Sequence, residues 1–427
     1  MKQEQFTLPA LPIVILLFTF TLPPETSISL GSLRLSPYRV ALIIMLCPAI
    51  NAVLQNTKAP FSFFDGLVIF HGIWATIALC INMGVAAGIE TGGIYFIETS
   101  GAYLVGRAYI KTAQDFANVI KLVFTVTATL LGFAVLESLS GFHILREPFK
   151  AVLGGAGPHY IEPRLGLTRA FTSFEHPILY GVFAASSFAG AYYLLIGEKI
   201  NKSGIKILST IVLATFFSLS GGPFTALTFQ GGLITWDKLT KGIAHRWSML
   251  LGLFGFSWLI LSLLSNRSPI LIFISYLTFS ASSAYNRVHI WNYGTAEVAR
   301  HPLFGIGLND WIRAPWMSSS MDNYWLLTTV RYGLPALLCL VLAIILIARR
   351  TPSRKGKNKL TINARKAWII TIFGFILAGL TVHFWNALMV QFFFLLGCGA
   401  ATTVPALNQF RKPRLSPTSL PLKEKIA

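Results

Sequence analysis

Leu334–Ala348 reads LPALLCLVLAIILIA, Arg349–Lys366 reads RRTPSRKGKNKLTINARK, and Ala367–Leu380 reads AWIITIFGFILAGL. Two apolar runs flank a short stretch with eight Lys and Arg and no acid. That is how two membrane spans joined on the cytoplasmic side read, because basic loops are retained there. The pattern extends outward through the chain. Of 427 residues, 54% are hydrophobic and 12% charged, and the mean hydropathy is +0.63, which does not describe a water-soluble surface. The expected fold is all-α: a polytopic transmembrane helical bundle, one membrane domain over 1–407, then a basic cytoplasmic tail over 408–427 that reads as disordered. The net charge of +19 sits in short loops between apolar runs, so it sets orientation and does not point to nucleic acid.

Windows of about 19 residues predict twelve spans, near 9–23, 38–55, 64–83, 92–110, 117–137, 177–197, 205–220, 222–236, 247–265, 325–348, 367–384 and 387–405. The first is interrupted by Pro9 and Pro12, ends in Pro23-Pro24 and lacks a small-residue cleavage motif, so it reads as a span and not a signal peptide. With both termini inside, Lys58, Lys111, Lys199, Lys202, Lys206, Lys238, Lys241 and Arg246 all fall on the cytoplasmic side. The same alternation puts two long connections outside, about 138–176 and 266–324, expected to lie on the membrane face as short amphipathic helices. Cys47, Cys80, Cys339 and Cys398 lie far apart inside apolar segments and suggest neither disulfides nor zinc.

Absences narrow the chemistry. The chain has no phosphate loop of the Walker type, no H-E-x-x-H, no G-x-S-x-G and no D-x-D pair. The stretch Gly154-Gly155-Ala156-Gly157 reads as a flexible turn. What remains outside is a set of arginines: Arg146, Arg164 and Arg169 in the first loop, Arg267, Arg287, Arg300 and Arg313 in the second. The positive-inside rule disfavours so many cations there, and the guanidinium fork binds phosphate bidentately, so the set as a whole reads as an anion site. Any single Arg reads equally well as snorkelling or as pairing with Glu147, Glu162, Glu175, Glu297, Asp310 or Asp322.

Two outer stretches have more texture. Arg169-Ala-Phe-Thr-Ser-Phe-Glu175-His176-Pro177 runs into a span. In the second loop, Arg287-Val-His289-Ile-Trp291 precedes His301-Pro302-Leu-Phe-Gly305-Ile-Gly307, followed by Met321-Asp322-Asn323-Tyr324-Trp325 and Arg331-Tyr-Gly333-Leu-Pro335. In this order, with the largest outer loop in this place, the motifs resemble those of the O-antigen ligase and Wzy-type polymerase family over roughly 90–345. The resemblance implies a metal-independent glycosyltransferase of the bacterial inner membrane, using an undecaprenyl-diphosphate-linked glycan on the periplasmic face without a cofactor. It implies membrane lipids and other polysaccharide-assembly proteins as partners. Carried over by position, Arg169 and Arg287 become diphosphate ligands and Asp322 the base. The chain departs from the ligases in having Asp322-Asn323 where they show His-Asn or His-Ser, which points to an exopolysaccharide polymerase.

Around these three catalytic candidates the expected substrate-binding set is Arg164, Arg300, Arg313, His176, His289, Trp291 and Asn323, with no metal ligand. His176 and His301 precede prolines, so a role in starting the helix competes with chemistry; His289 either faces the site or packs. His383 reads as a polar turn residue. Within the bundle, Glu98 reads as either a functional carboxylate or the structural partner of Arg107. Competing functions are transfer of the glycan to a lipid acceptor and non-enzymatic flipping of the same lipid-linked glycan. A flippase would show polar residues lining a path through the spans, whereas the polar material here concentrates in the outer loops.

Overall fold

The computed structural model describes residues 9–31, 33–57, 59–155, 157–197, 200–266, 269, 272, 281–351 and 358–404. Lys58, Lys199, Arg267, positions 352–357 of the basic loop and the tail over 408–427 lie outside them. The chain is mostly helical: α1 (Leu11–Thr19), α2 (Pro37–Leu54), α3 (Phe63–Met83), α4 (Val85–Phe96), α5 (Ala102–Tyr109), α6 (Ala113–Ser140), α7 (Arg146–Leu153) and α8 (Pro177–Ser186). There follow α9 (Phe188–Gly190), α10 (Lys202–Phe217), α11 (Gly221–Leu239), α12 (Arg246–Leu264), α13 (Ala281–Arg300), α14 (Tyr324–Tyr332), α15 (Leu334–Arg349), α16 (Lys359–Gly379) and α17 (Asn386–Cys398). One antiparallel hairpin, β1 (Ile28–Leu30) with β2 (Leu33–Leu35), joins α1 to α2 and was not legible in the hydropathy.

Seven segments among the described residues are long and apolar enough to cross a membrane: α2, α3, α6, the run Pro177–Ile196, α12, α16 and the run Asn386–Thr403. The other five predicted spans are shorter, broken or more polar. The first is the nine-residue α1. The fourth is α4 and α5 joined by a π-helical turn at Ile97–Gly101, the seventh and eighth are α10 and α11, and the tenth is cut at Gly333. Local chemistry fixes the starts and stops. Thr112 and Asp115 form a capping box at the head of α6, and Gly141 ends that helix at φ +73°.

Side-chain ties define the two ends of the bundle. At one end Asp237 of α11 pairs with Arg246 and Lys366, each at 2.8 Å, and accepts from the Tyr193 hydroxyl at 2.9 Å. Ala113 N–H bonds the Val404 carbonyl at the same end, 2.9 Å away. At the opposite end Thr168 N–H reaches the Ser138 carbonyl, Ala170 N–H that of Phe217, and Tyr324 N–H that of Val382. The described parts of both outer loops and the turns at 218–220 and 380–385 therefore meet at one end, with the described parts of the basic stretch, 349–351 and 358–366, at the other. Between them the core is dense with aromatics, and α5 crosses α17 so closely that a Cβ on Gly106 would lie 2.2 Å from the Phe394 carbonyl oxygen.

The second outer loop is not made only of short surface helices, as expected. α13 is 20 residues long, and its Ile290 joins Ile306, Trp311, Met317, Met321 and Leu326 in a satellite core against α14. The loop thus buries its own apolar residues as a cap.

Candidate functional site

Arg164 sits in a tight turn closed by paired Arg164 and Leu167, with Leu165 and Gly166 both at positive φ. Its Nη1 donates to the Leu219 carbonyl at 2.9 Å. Arg169 is 7% exposed; its Nη2 donates to Ser220 Oγ at 2.7 Å and its Nε to the Ser218 carbonyl at 3.4 Å. Two guanidiniums from the first loop are thus braced on one turn between α10 and α11. Arg287 arrives from α13 and donates to the Thr381 carbonyl at 3.3 Å. Burial first, and then the charge of Arg164, pulls Arg169 down to about 10. Burial also brings Arg287 to about 10, with Asp322 opposing that fall and Arg164 adding to it. Burial in turn raises the Asp322 carboxyl, against the pull of Arg287 and a Ser320 hydrogen bond.

The structure therefore brings together Arg164, Arg169, Arg287 and Asp322. Arg287 feels both the Asp322 carboxylate and the Arg164 charge, and Arg164 also acts on Arg169, so the group carries three guanidiniums to one carboxylate. A multivalent anion would offset that excess of positive charge. His176 borders the same group. Its Nδ1 accepts from the Ile178 N–H at 3.2 Å, capping α8, and burial followed by Arg169, His159 and Arg164 depresses it to about 3. The imidazole is neutral there, so its helix-start role is realised alongside its place at the site.

Other candidates are engaged elsewhere. Arg300 pairs with Glu297 at 2.6 Å and Arg313 with Asp310 at 2.5 Å, each three residues away, which removes both from the cluster. Asn323 is 4% exposed and its Oδ1 accepts from the Leu326 N–H, so it caps α14. Trp291 packs against the satellite core. His289 lies edge-on between Tyr285 and Trp316, with ring centroids 4.4 and 4.9 Å away and a buried Nε2 that has no hydrogen-bond partner among the described residues. Arg146 holds Glu25 at 2.5 Å. The Glu98–Arg107 pairing is corrected as well: Glu98 pairs with Arg39 at 2.7 Å and Arg107 with Asp65 at 3.1 Å.

The His301–Gly307 motif has a structural task. Ile306 and Gly307 N–H bond the Val330 and Arg331 carbonyls at 2.8 and 3.0 Å, and Leu334 N–H bonds that of Pro302 at 2.8 Å. The motif clasps the break between α14 and α15, where the helix leaves carbonyls unpaired.

Sequence reasoning read His383 as a polar turn residue and missed what the turn after α16 lines. His383, Trp385 and Asn386, with Arg39, Glu98, Tyr95, Tyr324 and Arg331, line a cavity of about 250 Å³. Asn386 stands at φ +53° and spans two networks: its Oδ1 accepts from Arg39 at 3.2 Å and its Nδ2 donates to Glu175. Trp385 Nε1 donates to the same Glu175 oxygen at 3.1 Å. Glu175 thus answers an amide and an indole, and is not the partner of any described outer-loop arginine. The polar and aromatic cluster His383-Phe-Trp385-Asn386 between two apolar spans was the available signal. No protein-family model matches the chain, and no curated protein aligns with it significantly.

Proposed function

We propose that the protein polymerises undecaprenyl-diphosphate-linked oligosaccharide repeat units on the periplasmic face of a bacterial inner membrane, through twelve crossings with both termini cytoplasmic. The convergence of Arg164, Arg169 and Arg287 with Asp322 at the loop-bearing end of the bundle carries this reading. In the reaction an acceptor hydroxyl attacks the anomeric carbon and the bond from that carbon to the diphosphate oxygen breaks. The hydroxyl proton passes to Asp322, and undecaprenyl diphosphate departs with its charge held by the arginines. The donor linkage supplies the driving force, so no nucleotide is required.

Purified protein in detergent, given a lipid-linked repeat unit, tests the proposal. A ladder of lengthened lipid-linked products is expected. A flippase yields none without a bilayer, and absence of elongation would defeat the reading.

A further inference from the structure

A cleft of about 440 Å³ opens between the first outer loop and the turn after α16; it adjoins the arginine cluster at His176, but none of the three cluster arginines lines it. Its size falls within the range of about 300–1,000 Å³ typical of small-molecule sites. Gly155 and Gly157, at φ +100° and +69°, bring backbone to its wall, which gives the glycine-rich stretch a purpose beyond a flexible turn.

The charges in the lining balance, with Arg34 and Arg146 against Glu25 and Glu175. The two histidines of the lining, His159 and His176, are both depressed by burial and by neighbouring arginines and stay neutral. The arginine cluster by contrast carries an excess of positive charge. A diphosphate prefers that cluster, whereas a balanced lining rich in donors and acceptors suits an uncharged polyhydroxyl ligand.

Two groups in this cleft have hydrogen-bonding capacity to spare. Arg146 is 4% exposed; its Nε and Nη2 are committed to Glu25 and the Gly157 carbonyl, and its buried Nη1 has no hydrogen-bond partner among the described residues. Glu175 receives Trp385 and Asn386 on Oε2 and forms no ion pair within 4 Å among the described residues, with Arg39 acting on it only through space. Trp385 adds an aromatic surface of the kind that takes the C–H face of a pyranose ring.

We propose that this cleft binds a neutral saccharide, with Glu175 accepting a sugar hydroxyl, Arg146 donating to a second and Trp385 lying against a ring. Its role as the acceptor subsite rests on the polymerase reading; its affinity for sugar does not.

The test uses the full-length protein in detergent and two separate probes. Methyl glycosides of neutral hexoses and N-acetylhexosamines are followed by saturation-transfer NMR, and inorganic pyrophosphate is titrated for the arginine cluster. At least one glycoside should bind the wild type. Glu175→Gln and Trp385→Phe should each weaken it about tenfold, the worth of one charge-assisted hydrogen bond or comparable contact, and leave pyrophosphate affinity unchanged. No glycoside binding, wild-type affinity in both variants, or loss of both probes in both variants would overturn the assignment. Sugar binding without pyrophosphate binding would leave the cleft standing and defeat the arginine reading instead.

Discussion

At the scale of single residues, the guanidiniums separate two roles. Lys in place of Arg169 keeps a cation but cannot reach Ser220 and the Ser218 carbonyl together, and Lys in place of Arg287 loses the fork that a diphosphate needs. Elongation by either variant should fall at least about tenfold, read as polymer per membrane-embedded protein. Full yield in both would leave interfacial snorkelling as their role. Asp322→Asn should cost about 100-fold or more while pyrophosphate still binds. Because a base acts only when deprotonated, wild-type rate should rise with pH through an apparent value above that of an ordinary aspartate, since burial raises this carboxyl. In Asp322→His the limb should move toward about 6.5, and an unmoved limb would exclude the residue as base. His176 titrates with the opposite consequence. Its native value of about 3 lies below the unfolded value, so its contribution is intact above about 6.5 and is lost as pH falls. Stability should drop by up to about 2 kcal/mol between pH 7 and 5, and His176→Asn, which keeps a capping acceptor, should flatten that slope in thermal melts. The arginines were legible because charge on an outer loop is conspicuous. Asn386 and Trp385 were not, because their roles depend on a chain reversal that brings them to Glu175, 211 and 210 residues away.

At the scale of elements, apolar runs located the strong spans, and the breaks escaped because a break is made by neighbours. Gly333 and Gly84 both adopt φ +83° with ψ near ±180°, a region closed to residues with a Cβ. A Cβ at Gly84 would meet nothing within 4 Å, whereas at Gly333 it would lie 1.9 Å from the Leu303 carbonyl oxygen. Gly84→Ala should therefore cost only backbone strain, about 1–3 kcal/mol, and Gly333→Ala should cost about 1–3 kcal/mol more by pushing the clasp off the helix break. Melting temperatures of the two variants in detergent isolate the difference. Equal losses would mean that the clasp contributes no stability and that the break persists for another reason. Trp74 gives a second indication that it matters, since its Nε1 donates to both Leu303 and Tyr332 carbonyls, at 3.2 and 3.1 Å, across that break. The hairpin of β1 and β2 was hidden for a simpler reason: three-residue strands leave almost no periodicity to read.

At the scale of the whole molecule, sidedness decides whether the arginine cluster is a site for a periplasmic substrate. The ties through Asp237 place the turn near Lys241 at the end that bears Lys366, and the bonds of Arg164, Arg169 and Arg287 gather the described parts of both long loops at the other end. The positive-inside rule assigns the first end to the cytoplasm. Single cysteines introduced at Leu165, Ser318, Lys241 and Thr351, all exposed, report both halves of that statement once Cys47, Cys80, Cys339 and Cys398 have been replaced. In intact cells a membrane-impermeant maleimide admitted to the periplasm should label Leu165→Cys and Ser318→Cys, whereas Lys241→Cys and Thr351→Cys should react only after the inner membrane is opened. Leu165→Cys and Ser318→Cys on opposite sides would pull Arg164 away from Arg287 and dissolve the cluster. All four positions reversed would keep the cluster but turn it to the cytoplasm, where a periplasmic polymerase has no substrate, and the proposed function would fall while the fold remained.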